Sequence, residues 1–294
     1  MTSANEWWLG ARPRTLPAAV VPVMIGTAVA YDESMSFVAA EWLPRALLAL
    51  VVSLALQVGV NYANDYSDGV RGTDDDRAGP MRLVASQRAT ARAVKSAALA
   101  AFAVACVAGL VLAALTTWWL VALGVVCVVA AWTYTGGPRP YGYAGLGEVF
   151  VFVFFGLVAT VGTTYVIVET VPVLAVLSGV LAGLLAVALL MVNNIRDIDG
   201  DSRSGKRTLA VRLGSARSKN LFALVYVAAF GVVIAAATQS LGALLGLAGL
   251  LAALPAISTV REATTAPQLI AALGMTARTQ LVVGMCYVLG LVIQ

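Results

Sequence analysis

The sequence predicts an all-α membrane protein, nine transmembrane helices arranged around a central cavity with the N-terminus cytoplasmic. Three observations predict it. Hydrophobic residues make up 60% of the 294-residue chain and charged residues 12%, with a mean hydropathy of +0.88; a soluble domain is nearer half apolar and a quarter charged. Several windows exceed 18 residues with little or no charge, and inside a bilayer such segments must be helices, because the backbone has no water to bond. The basic residues are also lopsided. With nine spans, all of the 19 Lys and Arg except Arg45 fall on the side of the N-terminus, which places that side in the cytoplasm. The net charge of +4 then reflects topology and contact with anionic lipid. No nucleic-acid partner is expected.

The elements follow in order. Trp7, Trp8 and "ARPRTLP" precede the first apolar run, so no cleavable signal is expected. The first span, 16–31, holds Pro17 and Pro22 and should be kinked. The second, 46–68, runs from an uncharged stretch into "NYANDYSDGVRGTDDD". The third and fourth, 93–115 and 118–135, divide at "TTWW". The fifth and sixth are 146–168 and 172–196. The seventh and eighth, 218–238 and 241–260, divide at "TQS", and 277–293 is the ninth. Residues 1–294 read as a single intramembrane domain, with most of the charge in two cytoplasmic loops, 69–92 and 197–217. Cys106, Cys127 and Cys286 lie inside predicted spans and read as small packing residues. The chain has no histidine, which removes imidazole bases, imidazole metal ligands and imidazole pH switches.

The chemistry sits at the ends of the second and sixth spans. Gln57, Asn61, Asn64, Asp65 and Asp68 fall at i, i+4, i+7, i+8 and i+11, one polar stripe on an otherwise apolar helix. Such a stripe cannot face lipid, so it lines a protein-walled, water-accessible cavity. Gly69 and Gly72 release the helix into a loop carrying Asp74, Asp75 and Asp76. On the sixth span Asn193, Asp197 and Asp201 recur at i, i+4 and i+8. The Asn64–Asp68 and Asn193–Asp197 pairs are equally spaced and four spans apart, which suggests a weak parallel repeat. Two acid groups facing one cavity need positive charge between them, and oxygen-only ligands suit Mg2+ or Ca2+. Mg2+ commonly combines one or two carboxylates with substrate phosphates, so the arrangement points to a metal-bound diphosphate. The candidate metal ligands are Asp65, Asp68, Asp74, Asp197 and Asp201. Asp68, Asp197 and Lys206 are the candidate catalytic groups. Arg196, Arg207 and Arg139, with Arg203, would meet phosphate oxygens. Asn64 and Asn193 complete the substrate side. Asp75 and Asp76 read equally well as solvated loop, and Arg71, Arg77, Arg82, Arg88 and Arg92 as positive-inside anchors.

At these residues the chain resembles a family. "NDYSDGVRGTD" and "NNIRDIDGDSRSGKRTLAVRLG" are similar to the two aspartate-rich signatures of the UbiA-type intramembrane aromatic prenyltransferases. Within that family, "ARPRTLPAAVVPVMIGTA" and "GKRTLAVRLG" look like the members that act on 1,4-dihydroxy-2-naphthoate in menaquinone synthesis. The first motif departs from the common spacing, because six residues separate Asp68 from Asp74. The resemblance implies a Mg2+-dependent enzyme of the plasma membrane with its active site on the cytoplasmic side. It would transfer a polyprenyl group from polyprenyl diphosphate to the naphthoate, releasing diphosphate and carbon dioxide. Tyr134, Tyr141 or Arg139 in "YTGGPRPYGYAG" would position the acceptor or its carboxylate. Other acceptors on the same fold (4-hydroxybenzoate, haem, a chlorophyll precursor, a phosphoribosyl group) stay open, as does a membrane transporter.

Overall fold

A computed structural model describes residues 2–33, 38–73 and 81–293, and it is helical throughout the apolar segments. Helix α1 (Ala4–Gly10) is closed at its start by Ser3, whose hydroxyl accepts from Glu6 while the Glu6 carboxylate accepts from the Ser3 N–H, a reciprocal cap. A 3-10 turn (Pro13–Thr15) leads into α2 (Pro17–Glu33), and the two pieces meet at 53°. Then come α3 (Ala39–Arg71), α4 (Ala91–Leu115), α5 (Trp119–Thr133), α6 (Gly147–Val168) and α7 (Val173–Arg196). Two short helices, α8 (Ile198–Arg203) and α9 (Leu209–Leu213), precede α10 (Ser215–Ala236), α11 (Leu241–Glu262) and α12 (Ala266–Ile293).

Each of the nine expected segments is helical, but the span count differs. Among the described residues seven helices are long and apolar enough to cross a bilayer, or eight if the bent N-terminal pair is one span. Helix α5 has 15 residues, about 22 Å at 1.5 Å per residue, short of a ~30 Å hydrocarbon core. Helix α12 starts eleven residues before the expected 277. The outer surface is apolar: Trp118, Val125, Val227, Leu251 and Ile293 are all more than half exposed. A continuous apolar exterior of this kind belongs in lipid.

Helix α7 is the central post, with 67% of its apolar window buried. Lipid tails are as apolar as Leu, so the hydrophobic effect gives little drive for helices to associate in a membrane; close backbone contact does the work instead. Gly179 and Gly183 lie one turn apart on α7 and face Gly156 of α6. A Cβ added to Gly156 would come 2.7 Å from the Gly179 carbonyl oxygen, and one on Gly183 would come 2.7 Å from the Phe152 ring. At this crossing α6 opens into a π-helical stretch, Phe152–Val158, which turns Phe150, Phe154 and Val158 to one wall of a cavity. The walls come mainly from α2 to α7, with Arg12, Thr15, Arg82, Asp201 and Lys206 added from the segments around them; among the described residues none comes from α10 to α12, which pack behind α7. The cavity is therefore off-centre.

Arg45, the exception to the charge bias, has a structural task. It donates to the carbonyls of Val166 at 3.0 Å, Ile167 at 3.3 Å and Leu115 at 3.1 Å, and pairs with Glu169 at 3.1 Å. One guanidinium thus closes the C-terminal ends of α4 and α6, where unpaired carbonyls collect negative charge. Arg45→Ala should lower stability by roughly 2 kcal/mol, with Arg45→Lys recovering part, read from thermal unfolding of the purified protein in detergent.

Candidate functional site

The cavity occupies about 600 Å3. Asn64, Asp68, Tyr134, Tyr141, Asn193, Asp197, Asp201 and Lys206 all line it, and the remaining wall is mainly aliphatic and aromatic. Its polar end is built by two helix ends. Helix α3 stops because Gly72 takes the left-handed conformation (φ 72°) and returns its N–H to the carbonyls of Asp68 and Gly69. Helix α7 stops at Asp197 (φ −96°, ψ 6°), and α8 resumes at once with Asp201 donating its N–H to the Asp197 carbonyl at 2.8 Å. The loop between α5 and α6 closes over both.

Asp68 is the hub, only 1% exposed. One carboxylate oxygen accepts from the Tyr143 hydroxyl at 2.9 Å. The other lies 3.8 Å from the Arg82 guanidinium and 3.8 Å from the Lys206 ammonium. Lys206 also lies 3.6 Å from Asp201 and 5.1 Å from the centre of the Tyr143 ring. Burial, and then the Asp68 charge, push the Tyr143 phenol up to about 12, so it stays protonated and can donate at neutral and mildly alkaline pH. Asp197 is held separately, by a two-pronged bond from Arg196 at 2.8 and 2.7 Å. Asn64 accepts from the Thr135 hydroxyl at 2.7 Å. Asn194 donates to Glu148 at 2.8 Å. Asn193 donates to the Leu189 carbonyl at 3.3 Å.

Other expected site residues are used differently. Asp65 does not line the cavity: its two oxygens accept the backbone N–H groups of Leu83 at 2.7 Å and Val84 at 3.0 Å, pinning the loop that follows the first acid motif. The carboxylate expected as a metal ligand thus holds the backbone at Leu83 and Val84. Arg196 is spent on Asp197, while Arg139 and Arg207 are exposed and off the cavity wall. Arg207 does contribute its backbone N–H to the Tyr143 carbonyl at 3.0 Å. Asp74, Asp75, Asp76 and Arg77 lie outside the described residues. Tyr141 stacks on Phe150 with centroids 3.8 Å apart and meets Tyr134 edge-on at 5.4 Å, an aromatic lining beneath the acids.

Three residues were missed. Tyr143 stands two places after Tyr141 in the same loop, and only its contact with Asp68 distinguishes it. Arg82 was taken for an interfacial anchor, yet it is 8% exposed and lines the cavity; the apolar neighbours Met81, Leu83 and Val84 were the available hint. Arg71, by contrast, stays exposed and off the cavity wall, where it donates to the carbonyls of Thr135 and Gly137. The third is Arg12. It has a left-handed backbone (φ 56°, ψ 68°), unusual for a residue with a side chain, and it lines the cavity.

The comparisons with known proteins agree with one another. The model of the UbiA prenyltransferase family matches residues 19–289. A 1,4-dihydroxy-2-naphthoate octaprenyltransferase of Mycobacterium tuberculosis is 53% identical over 222 residues, covering 76% of this chain and 74% of the relative. Among solved structures, the apo form of a UbiA homologue from Aeropyrum pernix K1 superposes with a TM-score of 0.69 at 17% identity, covering 94% of this chain and 96% of the other. A UbiA homologue from Archaeoglobus fulgidus bound to DMAPP and Mg2+ gives 0.66 at 14% identity, covering 96% and 98%.

The Asp65 arrangement makes a prediction independent of catalysis. Asp65→Ala leaves two buried amides without an acceptor, so hydrogen exchange at Leu83 and Val84 should accelerate by at least about tenfold, with stability falling by about 1–3 kcal/mol. Unchanged exchange across residues 81–86 would remove the structural role.

Proposed function

The chain belongs to the UbiA prenyltransferase family, and from that premise we propose that it transfers a polyprenyl group from polyprenyl diphosphate to 1,4-dihydroxy-2-naphthoate. Diphosphate and carbon dioxide leave, and demethylmenaquinone forms at the quinol level. The observation that carries the reading is the polarity gradient of one cavity. Buried acids and bases meet at its mouth, and an apolar chamber lies beneath. Cys106 and Leu110 of α4 and Val125 and Val129 of α5 line that chamber and are also exposed. A lipid tail longer than the chamber can leave there into the bilayer. The mycobacterial relative, a naphthoate octaprenyltransferase by name, supports the acceptor.

The bonds balance without an external oxidant. The bond between prenyl C1 and diphosphate oxygen breaks, and diphosphate keeps the pair. A ring carbon of the electron-rich naphthoate supplies the pair for the new bond to C1. The pair from the ring–carboxylate bond returns to the ring as carbon dioxide departs. Lys206 and Arg82 face the leaving diphosphate and offset its growing charge in a site shielded from water. Asn64 and Asn193 offer amide donors at the same level. Tyr134, Tyr141 and Phe150 give the acceptor ring an aromatic surface. Tyr143 holds Asp68 by its hydroxyl and so fixes which oxygen faces the mouth.

The residues present fit a divalent cation. Asp68, Asp197 and Asp201 offer only oxygen, as Mg2+ prefers, and Asp68 and Asp201 already approach one cationic group, Lys206, from two sides. No cage of three His, Cys, Asp or Glu forms among the described residues, and Mg2+ needs none when phosphate oxygens complete its shell. Asp68, Asp197 and Asp201 are already matched by Lys206, Arg82 or Arg196, so an incoming diphosphate brings charge that these bases cannot neutralise alone. When bound, Mg2+ supplies that neutralisation. The Archaeoglobus homologue is bound to DMAPP and Mg2+, which supports this ion. We place the nine helices as spans of the plasma membrane on the Lys/Arg bias, with the acid mouth cytoplasmic and residues 1–294 acting as one domain.

Asp68→Ala and Asp197→Ala should each reduce turnover by at least a hundredfold while the purified proteins keep their helical content and elution volume. Near-normal rates in both variants would overturn the site. An acceptor panel tested with one prenyl diphosphate checks the chemistry: product from 4-hydroxybenzoate but none from the naphthoate would reject the acceptor.

A further inference from the structure

We propose that Arg12 is the specificity-determining residue of the acceptor site, with its guanidinium gripping the carboxylate of the aromatic substrate. The inference rests on the prenyltransferase reading above and assigns a residue that the aspartate motifs do not contain. Three observations carry it.

The first is the state of the side chain. Arg12 lines the cavity, and one terminal nitrogen of its guanidinium is buried with no hydrogen-bond partner among the described residues. A buried guanidinium donor left unmet is costly, and a carboxylate is its natural complement, because two parallel N–H groups match two oxygens.

The second is how firmly the arginine is held. Its left-handed backbone (φ 56°, ψ 68°) persists because its surroundings over-determine it, and such outliers cluster at ligand sites. The Arg12 carbonyl accepts both the N–H and the hydroxyl of Thr15, each at 2.9 Å. Thr15 in turn accepts from Gln57 at 2.8 Å and Asn61 at 3.1 Å, and Asn61 also donates to the Ala11 carbonyl at 2.9 Å. Two of the five residues of the polar stripe on α3 are therefore spent on fixing the peptide that carries Arg12.

The third is depth. Asn61 precedes Asp68 by seven residues on an unbroken helix, about 10 Å along its axis. The Arg12 segment is tied to that level, below the diphosphate-binding mouth. That interval leaves room, in line, for the prenyl C1 leaving the diphosphate, the ring carbon it joins and the carboxylate on that same carbon. Arg139, the cation expected from sequence to meet the carboxylate, is exposed and off the wall, and of the described cations that line the cavity Arg82 and Lys206 sit beside Asp68, which leaves Arg12 for this depth.

The test compares substrates that differ in the carboxylate. In Arg12→Gln the KM for 1,4-dihydroxy-2-naphthoate should rise at least about tenfold, the loss of one charge-assisted contact, with KM for farnesyl diphosphate changed less than about twofold. Inhibition by 1-hydroxy-2-naphthoate should weaken by a similar factor, whereas inhibition by 1-naphthol, which lacks the carboxylate, should not move. Arg12→Lys keeps the charge but loses the fork, and should fall between the two. Equal losses for both inhibitors, or a matching rise in KM for farnesyl diphosphate, would overturn the assignment. If Arg12→Gln does not fold, unchanged discrimination between the inhibitors in Arg12→Lys would do the same. Wild-type protein that cannot prenylate the naphthoate would instead overturn the function, not Arg12 alone.

Discussion

The molecule is organised by the cost of placing charge at the edge of a hydrocarbon layer. A carboxylate taken out of water must be paired and hydrogen-bonded, or it takes up a proton. Asp68 meets this with Tyr143, Arg82 and Lys206, Asp197 with Arg196, and Lys206 also serves Asp201. The partners come from the loop before α4, the α5–α6 loop, the end of α7 and the segment after α8. The site exists only when these four pieces are assembled, so pairing the charges and closing the fold over the cavity are one event.

The same constraint separates the two kinds of polar residue on α3. Asp68 and Asn64 face the mouth. Asp65, one residue along, turns its oxygens to two backbone amides of the following loop, and Gln57 and Asn61 fix the N-terminal turn. A single polar stripe thus works as site, as loop anchor and as clamp for a strained arginine. Removing these side chains would affect different measurements: turnover for Asp68, local opening for Asp65, and acceptor affinity where the clamp on Arg12 is loosened.

Apolar packing supplies the frame. Glycines on α6 and α7 bring two backbones together where side chains would keep them apart, and the widened turn of α6 at that contact aims its phenylalanines into the cavity. With α10 and α12 packed behind it, α7 is the most buried of the long apolar helices. The thin wall made by α4 and α5 is the side left to lipid.

Much of this was legible in the chain itself. Apolar length, the bias of Lys and Arg, and the spacing of Asn64, Asp68, Asn193 and Asp197 are local properties of an ordered string, so they identified a helical membrane protein with two acid-tipped helices and the family signatures they carry. Which acid pairs with which base is not local. The helical stripe put Asp65 and Asp68 side by side, and only the position of the 81–84 loop turned one outward from the cavity. Arg82 and Arg139 look alike in sequence, and burial against Asp68 or exposure on a turn separated them. Tyr143 and Arg12 had no periodicity to reveal them, because one sits in an irregular loop and the other in a left-handed turn. Sequence periodicity reports which face of a helix is polar; contacts between residues far apart in the chain, made when the helices pack, decide what that face touches.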